Sequence, residues 1–210
     1  MKRQLVVLAR WPVPGRCKRR LAAGIGTTRA ALVQQRLNRH TLESARAVGS
    51  ISGNEIQPEV LLAADPLGPR AAQRWARQLG ADRGAGQGSG SLGVRMQRQV
   101  QRALRSGAEQ VVLIGSDLPA LQPLDLLAAF RALEKSPLVL GPADDGGYWL
   151  IGLSRQAPAH LARRLFSGMP WGSSAVLERT LVAAGQQGVQ PALLAARADL
   201  DRAADLQPWR

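Results

Sequence analysis

The chain has 210 residues, a single cysteine (Cys17) and a formal net charge of +13; its length fits one domain able to bury a core without crosslinks, and one cysteine excludes both a disulfide framework and a cysteine-built zinc site. The charge has two readings, attraction to phosphates, nucleotides or nucleic acid, or a compositional excess of arginine on ordinary solvated faces, and the second is favoured because Lys2, Lys18 and Lys135 are the only lysines. The first apolar run, 5–9, is too short to span a bilayer or to serve as a secretion signal, so a reducing cytoplasm is the expected setting.

Short apolar runs alternate with longer helical patterns. Residues 4–9 read as a buried strand, followed by a stiff loop over 10–17 and a helix over 27–48 capped by Thr27 or Thr28. A second strand is expected at 59–64 and a second helix at 69–79. The stretch 82–91 reads as a glycine-rich loop, and from Leu92 the apolar positions Met96, Val100 and Leu104 recur at four-residue spacing, as on a helix. Residues 110–114 form a continuous apolar run, suited to the middle of a parallel sheet. A helix at 124–134 follows, then strands at 137–140 and 148–153 around a hairpin-like turn. Helices are expected at 157–166 and 173–184, a late strand at 189–194, and a short helix after Asp201. Strands alternating with helices imply a mostly parallel sheet in one α/β domain over 1–210.

Ligands of open parallel sheets bind outside the carboxyl ends of the strands. Gly115-Ser116-Asp117-Leu118-Pro119 falls at such an end. There Asp117 either holds Mg²⁺ or Mn²⁺, which prefer oxygen ligands, or caps the next turn. The first loop carries Arg10, then two prolines and a glycine that fix its path, then Arg16, Lys18, Arg19 and Arg20. It is charged like a phosphate-binding loop, but it lacks the Gly-Lys-Ser/Thr ending of a P-loop. Asp144 and Asp145 precede Gly146 and Gly147, where glycine permits close approach of a sugar or phosphate. Arg95, Arg98, Arg102 and Arg105 share one helical stripe that reads as a solvent face, with Arg95 set apart by its place beside the glycine loop, where a helix start could also receive a phosphate. His40, His160 and Cys17 lack partner patterns and read as structural. Asp199-Leu200-Asp201 offers a second carboxylate for a metal at Asp117, or an N-cap at Asp201.

Six ordered segments together resemble a known family. They are Pro12-Val13-Pro14-Gly15-Arg16 with Lys18 and Leu21; Gln87-Gly88-x-Gly90-x-Leu92-Gly93-x-Arg95-Met96; Gly115-Ser116-Asp117-Leu118-Pro119; Gly141-Pro142-Ala143-x-Asp145-Gly146-Gly147-Tyr148; Pro170-Trp171-Gly172-Ser173-Ser174; and Asp199-x-Asp201. The pattern is similar to bacterial glycosyltransferase-like proteins associated with radical-SAM/selenium-domain genes and with arsenosugar biosynthesis. It also looks like phospholactate guanylyltransferase and the molybdopterin guanylyltransferase. The resemblance implies a single-domain GT-A-like nucleotide-diphosphosugar transferase fold, a three-layer α/β/α sandwich. Three positions depart from the pattern: Arg10 stands where lysine is usual, Arg19 where threonine is usual, and Ser91 where an acid is usual.

The resemblance implies metal-dependent sugar transfer from a nucleotide-diphosphate sugar to a small-molecule acceptor. Asp117 and Asp201 would hold Mg²⁺ or Mn²⁺. Arg10, Arg16, Lys18 and Arg95 would bind the donor. Gly146, Gly147, Tyr148, Trp171 and Ser173 would line the sugar or acceptor site, and Asp145 would be the base. The alternative is nucleotidyl transfer from a nucleoside triphosphate to a phosphorylated small molecule, with loss of pyrophosphate. A nucleic-acid-binding module rests on charge alone. Aromatics at 4%, not interleaved with basic residues, argue against a single-strand stacking platform.

Overall fold

A computed structural model describes residues 1–209. The strands are β1 (Arg3–Arg10), β2 (Glu59–Asp65), β3 (Arg83–Gly86), β4 (Gln110–Ile114), β5 (Leu138–Pro142), β6 (Tyr148–Ser154) and β7 (Ala192–Leu193). They form one sheet in the order β3-β2-β1-β4-β6-β5-β7. Every neighbouring pair is parallel except those of β6, which runs antiparallel to β4 and β5. The helices are α1 (Arg19–Ile25), α2 (Thr27–Ile51), α3 (Pro69–Gln78), α4 (Leu92–Arg105), α5 (Pro123–Ala132), α6 (Leu161–Phe166) and α7 (Val176–Gly185), with a closing 3-10 helix at Ala203–Trp209.

Successive strand residues point to opposite faces, and this alternation builds the three layers. Leu5, Val7, Leu62, Val112 and Ile114 pack with Leu42 and Val48 of α2, Trp75 of α3 and Phe130 of α5. Their neighbours Val6, Leu61, Ala63, Val111 and Leu113 pack on the other face with Met96 and Val100 of α4, Leu161 and Leu165 of α6 and Ala184 of α7. This is the expected α/β/α sandwich. A third, smaller cluster joins Leu21, Ala30 and Leu200, with Ala203 and Leu206 against it, and so clamps the closing segment onto α1 and α2.

Several boundaries differ from expectation. The basic loop turns helical at Arg19, and Gly26, not Thr27 or Thr28, is the N-cap of α2. The glycine-rich stretch contains β3, paired to β2 from Leu61↔Arg83 to Ala64↔Gly86. Its Arg-Gly-Ala-Gly sequence has no apolar run to mark it. Gly84 is required because a Cβ there would lie 2.3 Å from the Ala72 carbonyl oxygen of α3. α6 and α7 start later than expected, at Leu161 and Val176, and β7 has only two residues. Among the described residues, no helix is long and apolar enough to cross a membrane.

Two buried side chains of α2 brace the functional end of the sheet. The Asn38 amide donates to the Arg10 carbonyl (3.0 Å), and the Gln34 amide donates to Asn38 Oδ1 (3.0 Å) and Ser116 Oγ (3.2 Å). The ends of β1 and β4 are thereby tied to one helix. Asn38→Leu leaves the Arg10 carbonyl without its buried donor, so a loss of about 1–3 kcal/mol is expected, read as a lowered urea midpoint with an unchanged slope.

Candidate active site

A cleft of about 570 Å³ opens over the carboxyl ends of β1, β2 and β4 and the β5–β6 turn. Its walls include Arg10, Lys18, Arg95, Asp117, Asp145, Gly147, Tyr148, Trp171, Ser173 and Asp201, so most of the residues singled out in the sequence meet in one place. Arg19, Arg20, Asp65, Gln87, Leu92, Met96 and Asp199 join them.

Lys18 organises the acidic end. It adopts a left-handed conformation (φ 46°) at the N-cap of α1, which turns its side chain inward until only 3% of it is exposed. The ammonium lies 2.7 Å from Asp117 Oδ1 and donates to the Leu200 carbonyl. The Leu200 N–H in turn donates to the Asp117 carbonyl at 2.8 Å, closing the link between β4 and the 199–201 segment. Arg20 pairs with Asp201 Oδ2 at 2.7 Å. Asp205, not Asp201, does the capping: its Oδ2 accepts from the backbone N–H groups of Asp201 (2.9 Å) and Arg202 (2.6 Å). Those two bonds hold the Asp205 carboxyl below its usual range.

Asp199 is driven the other way, with one backbone hydrogen bond outweighed. Burial pushes its carboxyl up, and the charges of Asp145, Asp117 and Asp201 add to the shift. At this end four carboxylates, Asp117, Asp145, Asp199 and Asp201, face three cations, Lys18, Arg19 and Arg20. Among the described residues, no three His, Cys, Asp or Glu side chains close into a metal cage. Asp117 and Asp201 nevertheless remain 50% and 36% exposed beside their cationic partners. Two open carboxylates at this acidic end suit Mg²⁺ or Mn²⁺, hard ions that take few protein oxygens and complete their shell with water and substrate phosphate.

The basic end lies across the sheet. Asp65, at the end of β2, is paired in register with Arg10 and sits 3.4 Å from its guanidinium and 3.1 Å from that of Arg95. Arg95 also donates through Nε to the Gly90 carbonyl at 3.0 Å. Sequence reasoning missed Asp65, although its place at a strand end is the same signal that marked Asp117. Arg98 is no solvent-face residue either. Its guanidinium donates to the Gln87 and Ser89 carbonyls and fixes the glycine loop.

Other expectations need correction. Arg16 is exposed and lies outside the cleft lining, whereas Arg19 and Arg20 are within it. Gly146 also lies outside the lining: a Cβ there would stand 2.2 Å from the Ser174 carbonyl oxygen, so the glycine admits a protein loop and not a sugar. Tyr148 lines the cleft with its ring only. Its hydroxyl is buried beside Thr180 without a well-formed hydrogen bond, and burial raises its pKa far above the usual phenol. Asp145 Oδ1 accepts from the Gly147 N–H at 2.9 Å, which leaves an exposed carboxylate at the turn. Ser91 caps α4 through Val94 (3.4 Å). Cys17 is buried, its thiol donates to the Val13 carbonyl (3.3 Å) and burial raises its pKa, consistent with a structural role.

The Asp199 shift has a definite sign. A carboxyl raised in the folded state favours folding while protonated and loses that contribution as pH rises through its folded pKa. Asp199→Asn should therefore be more stable than the parent at pH 7. The advantage should shrink as pH falls towards the ordinary carboxylate value of about 3.9, in paired thermal melts across pH 3.5–7.5. Equal melting temperatures at pH 7 would contradict the charge excess.

No curated protein matches the chain in sequence. Among solved structures, a protein from Desulfovibrio desulfuricans G20, assigned provisionally to the nucleotide-diphospho-sugar transferases, superposes with a TM-score of 0.82 at 26% identity, over 98% of this chain and 85% of that one. The synthetase for CMP-2-keto-3-deoxy-manno-octonic acid, solved with CTP, matches at TM-score 0.59 and 13% identity over 100% and 97% of the two chains. Glucosyl-3-phosphoglycerate synthase from Mycobacterium tuberculosis, solved with Mn²⁺, UDP and glucosyl-3-phosphoglycerate, matches at 0.52 and 15% over 97% and 74%. The last two likenesses show the fold alone, and all three place the chain among GT-A-like transferase folds. Residues 52–173, more than half the chain, match the family described as "Uncharacterized protein conserved in bacteria (DUF2064)", and the protein belongs to that family.

Proposed function

We propose that residues 1–210 form one GT-A-like transferase domain that moves a sugar from a nucleotide-diphosphate sugar to a small-molecule acceptor with the help of Mg²⁺ or Mn²⁺. The observation that carries this reading is the cluster of four carboxylates, Asp117, Asp145, Asp199 and Asp201, set beside three cations, Lys18, Arg19 and Arg20, at the strand ends. The likeness to the Desulfovibrio protein supports it.

Asp117 and Asp201 would hold the ion, which when bound supplies charge for the departing diphosphate. Lys18 fixes the orientation of Asp117. Arg19 and Arg20 supply cleft-facing positive charge, and Arg16 is left for whatever of the donor projects past the rim. Arg10 and Arg95, held by Asp65, face the donor from the other end. Asp145 stands at the turn with an exposed carboxylate able to take the proton of an acceptor hydroxyl. Ser173 and Gly147 lie nearby. The six-segment pattern favours the radical-SAM/selenium-domain and arsenosugar-associated type, and a cytoplasmic setting would supply such donors.

Arg19 and Arg20, exposed beside the strand ends, also suit a triphosphate, which favours nucleotidyl transfer as a second reading. The two differ in their leaving group. A screen of nucleotide sugars and nucleoside triphosphates should give nucleoside diphosphate from a sugar donor; pyrophosphate release would establish the second reading instead. By calorimetry, Mn²⁺-dependent donor binding should weaken at least tenfold in Asp117→Ala, equivalent to about 1.4 kcal/mol. Unchanged binding would remove Asp117 from the metal.

A further inference from the structure

The third wall of the cleft has a different character from the charged ends. It is built from Leu92 and Met96 of α4, Tyr148 and Ile151 of β6, and Trp171 of the loop before α7. Both aromatic residues offer ring surface to the cleft, and Tyr148 withholds its polar tip. The Tyr148 hydroxyl is buried on the far side beside Thr180. The Trp171 indole nitrogen lies against α4, where a Cβ on Gly93 would stand 2.7 Å from it. The two rings meet edge to face, with centroids 6.2 Å apart and planes at 84°. Leu92 is 45% exposed at the mouth of the cleft. Arg95, the one cation of the first turn of α4, is drawn away to Asp65 and the Gly90 carbonyl. Asp145 borders the wall with an exposed carboxylate.

We propose that this wall is the acceptor subsite and that its ligand is an aromatic alcohol, a flat apolar body carrying one hydroxyl, and not a phosphorylated metabolite. The inference rests on the transferase reading for its chemistry and on the wall for its ligand class. An apolar surface rewards burial of an apolar ligand, and aromatic rings favour edge or offset contacts with another ring. A phosphorylated ligand placed here would lose its hydration and meet no free cation on the wall, with the Asp145 carboxylate beside it. In the transfer step, the acceptor oxygen forms a bond to the anomeric carbon as the bond from that carbon to the diphosphate oxygen breaks. The hydroxyl proton passes to Asp145, and the nucleoside diphosphate leaves with the bonding electron pair.

The test needs no turnover. The full chain is titrated with 4-ethylphenol and, separately, with glycerol 3-phosphate, followed by saturation-transfer NMR. Binding of 4-ethylphenol at least tenfold tighter than glycerol 3-phosphate is expected, with about a tenfold loss in Trp171→Ala and a clear loss in Leu92→Gln. Leu92 is partly exposed, so its variant keeps the test valid if Trp171→Ala fails to fold. Equal or tighter binding of glycerol 3-phosphate overturns the proposal, as does phenol binding insensitive to Leu92→Gln. A parallel titration with UDP and Mn²⁺ separates the two ideas: loss of nucleotide binding sinks the transferase reading, while loss of phenol binding alone sinks only the acceptor class.

Discussion

The open end of the sheet depends on one buried ammonium. A lysine withdrawn from water loses several kcal/mol of hydration and persists only when its partners are in place. Lys18 has two, the Asp117 carboxylate and the Leu200 carbonyl. They come from sequence-distant segments, so the pairing couples the end of β4 to the closing stretch of the chain. The small cluster of Leu21, Ala30, Leu200, Ala203 and Leu206 is the apolar half of the same joint. Apolar burial brings the closing helix to α1, and the ammonium sets its register. The left-handed backbone at Lys18 follows from this geometry, because the side chain must turn inward just as the helix begins.

That joint shapes the electrostatics of the cleft. Lys18 pairs with Asp117 and Arg20 with Asp201, and the Arg20 charge also reaches Asp145 and Asp199, which have no ion pair of their own. At the other end the balance reverses, with Asp65 shared between Arg10 and Arg95. The cleft thus has an acidic pole and a cationic pole restrained by one carboxylate. A nucleotide arriving with a divalent ion carries charges of both signs and can satisfy both poles, which a simple anion cannot.

Much of this was legible in the sequence, and the failures have physical causes. The buried run at 110–114 announces a central strand because both of its faces are covered, and Asp117 follows from where that strand must end. β3 was hidden because Arg83–Gly86 is an edge strand chosen for closeness to α3, not for apolar content. Asp65 is hard to see in the sequence because nothing beside it is glycine-rich or basic; its arginines arrive through the sheet and from α4. Arg16 shows the opposite case: sequence proximity to Lys18 does not give it the same direction. Lys18 turns inward at the helix N-cap, while Arg16 stays in the exposed turn at Pro14–Arg16.

The motif glycines show how a correct pattern can hide its cause. In sequence, Gly93 is one of the motif glycines and Gly146 looks like a place where a ligand comes close to the backbone. In the structure, protein fills those spaces. Gly93 lies against the Phe166 carbonyl and the Trp171 indole, and Gly146 against the Ser174 carbonyl. The Leu177 N–H also donates to the Gly146 carbonyl at 2.9 Å, so the β5–β6 turn and the start of α7 are locked together. The segment from Phe166 to Ser174 is therefore wedged between α4 and the β5–β6 turn. Its wedging fixes the plane of Trp171 and keeps the Tyr148 ring at the cleft surface. These glycines shape the ligand site at one remove, by letting a loop pack closely enough to make an aromatic wall rigid before any ligand arrives.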